Sequence, residues 1–181
     1  LNLFLYQNEI DMLKKIMLVL GAILVLIQFI RPERNTSNDL TYDVHKKYPG
    51  PYYVQGILGK ACNDCHSNKT EYPWYANVQP VAWMLANHVN DGKRHLNFSN
   101  FTSMRIAIQN HKFEEVIEVL DEGEMPLPSY TWLGRHPEAK LTSEEKTALI
   151  DWARMSMDSI KAQYPADSLV MPKRPGPPPG K

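Results

Sequence analysis

The feature that most constrains this chain is the pentapeptide Cys62-Asn63-Asp64-Cys65-His66, which holds both of its cysteines. Thiols at this spacing lie about one helical turn apart, and the imidazole follows the second at once. C-x-x-C-H is the attachment signature of c-type haem. The two thiols add to the vinyl groups on one edge of the porphyrin, and the adjacent histidine becomes the proximal iron ligand. Three other uses of such residues compete: a redox disulfide of thioredoxin type, half of a zinc site, and a structural disulfide. The first needs a βαβ context that the pattern lacks. The second needs two further ligands, and the sequence has no second cysteine pair and no closely spaced histidine pair. Covalent haem on Cys62 and Cys65, with His66 as iron ligand, is therefore the expectation.

Covalent haem attachment belongs outside the cytoplasm, and an independent segment points the same way. Residues Ile16 to Ile30 form an apolar run preceded by Lys14 and Lys15 and followed by Arg31 and Pro32. A cleaved signal has a core of about 7–15 apolar residues and a small-residue cleavage site. A membrane anchor needs roughly 17–25 residues. Ile30-Arg31-Pro32-Glu33 offers no such cleavage site, and the flanking Lys15 and Arg31 can snorkel. Leu13 to Ile30 is accordingly expected as an uncleaved transmembrane helix. The lysine pair on its cytoplasmic side places the remainder in the periplasm of a bacterial cell. Met12-Leu13-Lys14-Lys15 reads better as the start of such a segment than Leu1 does.

The rest of the chain divides by pattern. Residues 1–31 are the signal anchor, 32–50 a polar tether, 51–164 the folded domain and 165–181 a proline-rich, solvated tail. Within the domain, Pro51 to Lys60 pairs Tyr53 with Ile57 and Val54 with Leu58 at helical spacing. Pro80 opens a helix with Val81, Met84, Leu85 and His88 on one face and Gly92 beyond its end. Phe113, Val116, Ile117 and Leu120 define another, stopped by Gly123. Thr142 and Glu145 form a capping box for a last helix carrying Leu149, Trp152, Ala153 and Ile160, which ends before Pro165. No strand pattern or repeat appears, so the fold class is all-α. Lysines and arginines balance aspartates and glutamates at 20 each, which gives no field for nucleic acid.

The motif supplies one face of an iron, and the other face decides the chemistry. A methionine sulfur raises the potential of an electron-transferring iron, a histidine lowers it, and a vacant site admits ligands or peroxide. Met84, Met155 and Met157 fall inside predicted helices, where methionine usually fills core. Met125 instead lies on Met125-Pro126-Leu127-Pro128, a loop stiffened by prolines, and is the preferred distal ligand. His88 is the alternative, with a buried, hydrogen-bonded core histidine as its plainer reading. Trp74 and Tyr75 either wall the haem or pack in the core. His45 belongs to the tether, and His95, His111 and His136 sit in or beside polar loops.

Together these residues resemble a known family. Cys62 to Asn68, Tyr72-Pro73-Trp74-Tyr75, Pro80 with Trp83, Leu96-Asn97-Phe98-Ser99, Met125-Pro126 and His136-Pro137 are similar to the bacterial haem-binding domain family of membrane-anchored monohaem c-type proteins. The likeness covers roughly Tyr53 to Ala153. It implies a cytochrome-c-like helical fold, one covalent haem c on Cys62 and Cys65, and His66 as axial ligand. It also makes the Met-Pro segment look like the distal loop of class I cytochromes c.

The function expected from these features is single-electron transfer on the periplasmic side of the inner membrane. Redox proteins of a respiratory chain are the expected partners. Two alternatives use an open or displaceable distal ligand: a peroxidase-like enzyme, with His88 handling protons, and a haem-based sensor. No distal His-Arg pair is recognisable for the enzyme.

Overall fold

A computed structural model describes residues 2–131 and 136–171. Among them are seven α-helices and no strand, apart from a bridge between Thr36 and Lys69. The first helix, α1, spans Asn2–Ile27, and its apolar side chains from Leu13 to Leu26 are largely exposed. No described helix is long and apolar enough to cross a membrane. Two observations leave the expected transmembrane helix without support. Asp11, Lys14 and Lys15 lie within α1, so its uncharged part, Ile16 to Ile27, rises only about 18 Å against a hydrocarbon core of about 30 Å. The run then leaves the helix and is tied to the domain. Gln79 donates its backbone N–H to the Gln28 side chain at 3.0 Å and its side-chain amide to the Ile30 carbonyl at 2.6 Å.

Residues 32–50 are not a tether. Val44 is fully buried and Tyr48 is 4% exposed, both within the main core. Tyr48 donates its hydroxyl to Gln109 Oε1 at 2.6 Å, and its carbonyl accepts Trp152 Nε1–H at 3.2 Å. The polar composition that suggests a tether serves specific bonds. Asn35 alone donates to the Ser67 carbonyl, to Thr70 Oγ1 and, through its backbone N–H, to the Tyr72 hydroxyl, each at 2.9 Å. His45 lies near the Trp152 ring, centroids 5.8 Å apart.

Helix α2 (Tyr52–Ala61) buries Val54, Ile57 and Leu58, which share one face by helical spacing, and delivers the chain to α3 (Asn63–His66). Helix α4 spans Val81–His95. It buries Ala82, Ala86 and Val89, while Met84 is exposed and Val81, Leu85 and His88 are half-buried. Ala82 and Ala86 face residues 31–34, Tyr72 and the turn Trp74–Asn77, while Gly92 lies on the side of α4 that meets α3. Helix α5 (Ile106–Asp121) is continuous, and Gly123 takes φ +75° to end it. A four-residue helix, α6 (Pro128–Thr131), follows, and α7 (Ser143–Gln163) opens on the expected capping box. Helices α5 and α7 pack together around Trp152, Phe113, Phe101 and Phe98. Phe101 and Phe113 meet at 4.8 Å and Phe113 meets Trp152 edge-on at 5.4 Å. The start of the supposed tail also packs: Ala166–Leu169 forms a turn against α5, with Leu169 on the core. Residues 172–181 lie outside those described.

Candidate functional site

Helix α3 is too short to hold itself together, so its neighbours hold it. The Cys62 carbonyl accepts the N–H groups of Cys65 at 3.2 Å and His66 at 2.9 Å, closing one turn. Helix α4 supplies the support. A Cβ at Gly92 would stand 2.5 Å from the Cys65 carbonyl oxygen and 3.0 Å from Cys65 Cβ. Gly92 is therefore an inner residue of α4, not a terminator, and it lets the helix backbone lie directly against the motif. A glycine inside a helical pattern is the signal of such an approach.

The segment leaving the motif is fixed as firmly. His66 Nδ1 lies 3.0 Å from the Leu96 carbonyl, so this nitrogen carries the proton and Nε2 presents its lone pair. Burial lowers the His66 pKa despite the opposing backbone bonds to Leu96 and Gly92, and the lowered value keeps the ring neutral and able to ligate. Asn68 receives Asn97 Nδ2–H on its Oδ1 at 2.8 Å, and its N–H bonds Ser99 Oγ at 3.1 Å. Leu96-Asn97-Phe98-Ser99 is thus a brace for α3 and the residues that follow it, with Phe98 edge-on to His66 at 6.4 Å.

The two cysteines are free thiols. Burial, reinforced by Cys65, pushes Cys62 up to about 12, and burial, reinforced by Asp64, pushes Cys65 up to about 11. Reactive cysteines of thioredoxin type have lowered values, so these are of the opposite kind. Among the described residues no group of three or more His, Cys, Asp and Glu is placed to hold a metal ion, which leaves the zinc reading without its remaining ligands.

Cys62, Cys65 and His66 line one cavity of about 210 Å³, and Met125 and His88 line it too. The structure thus brings together the five residues singled out for attachment and ligation. It does not bring Trp74 or Tyr75, which are absent from this lining. Trp74 is 78% exposed, and Tyr75 places its hydroxyl 3.3 Å from His136 Nε2. Beside the motif, Pro126, Leu127 and Tyr130 line this cavity instead. An aromatic near a motif in sequence need not stay near it when Pro73 turns the chain into a separate turn, Trp74–Asn77.

Asp64 and Tyr130 escape sequence reasoning. The Tyr130 hydroxyl donates to Asp64 Oδ2 at 2.7 Å, while Asp64 Oδ1 accepts the Glu71 N–H at 2.8 Å. Burial and the Asp64 carboxylate raise the Tyr130 pKa, so its hydroxyl stays a donor. The Tyr130 ring stacks flat on His136, centroids 4.3 Å apart and planes 7° off parallel. His136 Nδ1 lies 3.1 Å from Glu138 Oε1. Nothing in local pattern marks this pairing, because Asp64 and Tyr130 come from opposite halves of the domain.

The donor set fits a covalently held haem: two unpaired thiols a turn apart, one neutral imidazole of fixed tautomer, and a thioether on a separate loop. A model of the haem-binding domain family matches residues 22–155. No curated protein and no solved structure matches the chain.

Proposed function

The chain belongs to the haem-binding domain family, and from that premise we propose that it is a monohaem c-type cytochrome that transfers single electrons. The observation that carries this reading is the convergence of Cys62, Cys65, His66 and Met125 on one cavity. When bound, the haem supplies a one-electron iron couple. Cys62 and Cys65 would hold it as thioethers, and His66 would ligate the iron through Nε2, oriented by the Leu96 carbonyl. Met125 would supply a thioether as a second protein ligand, which favours the reduced iron and raises the potential. The residues need move no proton, and the other half of the exchange belongs to redox partner proteins of a respiratory chain. The periplasmic side of a bacterial inner membrane suits covalent haem, and the exposed apolar end of α1 gives the chain a surface with which to stay near it.

The test is the spectrum of the purified holoprotein. Ferric wild type is expected to show the far-red sulfur-to-iron band, and Met125→Ala is expected to lose it. A wild type without that band, or a band that survives Met125→Ala, rejects Met125 as ligand. Replacing Cys62 and Cys65 together removes haem staining after denaturing electrophoresis. Persistent staining rejects covalent attachment.

One observation favours a second reading. His88 lines the same cavity as Met125, so a ligand exchange would leave an open or histidine-ligated iron suited to a sensor or a peroxidase-like enzyme. Rapid binding of carbon monoxide to the wild-type ferrous form selects that reading over the first.

A further inference from the structure

The loop that carries Met125 is anchored at both ends, and only one anchor is local. At its start, Gly123 turns the chain with positive φ, and the N–H groups of Glu124 and Met125 both reach the Val119 carbonyl, at 2.9 and 3.3 Å. This is ordinary helix termination and sets where the loop begins. At its end, Tyr130 leaves the loop, its N–H bonded to the Leu127 carbonyl at 2.9 Å, and its hydroxyl crosses to the attachment helix.

We infer that Tyr130 is a positioning residue for Met125, its bond to Asp64 strapping the distal loop onto the attachment helix so that the thioether stays over the cavity. The inference rests on Met125 as distal ligand. Three features make the strap effective. Pro126 and Pro128 remove backbone freedom between Met125 and Tyr130, so a displacement at one is transmitted to the other. Asp64 cannot swing away, because its second oxygen is held by the Glu71 N–H and its carbonyl by Thr70 Oγ1 at 2.6 Å. A phenol bonded to a carboxylate is also among the stronger hydrogen bonds, about twice a neutral one. Ligation thus depends on Asp64, a residue of the motif that is neither a thiol nor an imidazole. The same carboxylate connects the two faces of the site.

The experiment compares full-length holoprotein variants by the sulfur-to-iron band and by the rate of carbon monoxide binding to the ferrous form. Tyr130→Phe keeps the ring stacked on His136 and removes only the hydroxyl. It is expected to weaken the band and to speed carbon monoxide binding by about tenfold, the scale of a lost hydrogen bond to a charged group. Haem staining stays at the wild-type level, because Cys62 and Cys65 are untouched. Asp64→Asn, which retains a carbonyl acceptor, falls between wild type and Tyr130→Phe. If Tyr130→Phe does not fold, Asp64→Ala makes the same cut from the other side and is read in the same way. A wild-type band and wild-type carbon monoxide rate in these variants, with the band lost in Met125→Ala, overturns the strap and leaves Met125 standing. A wild type that lacks the band overturns both.

Discussion

Replacing Gly92 by alanine tests whether α4 buttresses the attachment helix, and the chain contains its own control. In an exposed helix interior, glycine to alanine stabilises by about 0.5–1 kcal/mol, because alanine loses less backbone freedom on folding. Gly56 and Gly59 lie in α2 with nothing within 4 Å of an added Cβ, so this gain is available there. Gly92 also sits in a helix, but its Cβ would stand 2.5 Å from the Cys65 carbonyl oxygen. That oxygen belongs to backbone and cannot rotate away. Helix α3 must shift against α4, and overpacking of this kind costs about 1–3 kcal/mol. Net of the helix gain, Gly92→Ala is expected to lose about 1–2 kcal/mol while Gly56→Ala gains up to about 1 kcal/mol. A separation of about 1.5–3 kcal/mol corresponds to roughly 3–12 °C in melting temperature for a chain of this size. Thermal unfolding followed by far-ultraviolet circular dichroism measures it. Haem staining of the same samples shows whether displaced Cys65 still attaches. If Gly92→Ala melts at or above Gly56→Ala, the buttress is wrong.

Two other expectations follow from contacts outside the cavity. Tyr48→Phe removes the donor to buried Gln109 Oε1 and is expected to cost about 1–3 kcal/mol in urea unfolding; a neutral result would return residues 32–50 to the role of a tether. The Lys60 hydrogen bond, then the Thr142 backbone, hold Glu145 below its ordinary value of 4.5. A depressed folded-state pKa gives stability that is present above 4.5 and lost as pH falls through the lower value, so Glu145→Gln should flatten the acid side of the melting-temperature profile without altering the slope near neutrality. An unchanged acid limb would show that the Lys60 bridge, 2.6 Å long, is too solvated to matter.

What was legible in the sequence followed from short-range rules. The capping box at Thr142, the stop at Gly123 and the Val54–Leu58 pair of α2 depend on residues within one or two turns and appear as expected, whereas Tyr53, paired with Ile57 by the same spacing, is exposed. The turn that holds Cys65 and His66 was legible because thiols three residues apart lie one helical turn apart. Two kinds of inference failed. Polarity stood in for exposure at 32–50, where Asn35 and Tyr48 spend their polar groups on bonds within the fold and Val44 and Tyr48 join the core. Hydrophobicity stood in for burial on α4, where Ala82 and Ala86 are covered by residues 31–34, Tyr72 and Ala76 while Met84 is exposed. The apolar run after Lys15 was visible, but its end was not, because Gln79 captures Gln28 and Ile30 from far along the chain.

The site divides along the same line. Its proximal half is local: Cys62, Cys65 and His66 form one turn, and even the brace from Leu96 completes a geometry that the motif already demands. Its distal half is assembled by topology. Met125 reaches the cavity because α5 carries the chain to Gly123, the prolines keep the loop extended, and Tyr130 finds Asp64 inside the motif. His88 reaches the same cavity by a different route, from α4, whose position is set by Gly92 against Cys65. The two rival distal ligands therefore answer to different supports. Loosening Tyr130 releases Met125 and leaves His88 in place, whereas shifting α4 moves His88 and Cys65 together. A protein built for electron transfer needs the first support to be the firmer one, since a thioether that leaves readily would open the iron to small ligands. Comparing carbon monoxide binding in Tyr130→Phe and Gly92→Ala ranks the two supports directly: the faster variant identifies the contact that keeps the iron closed.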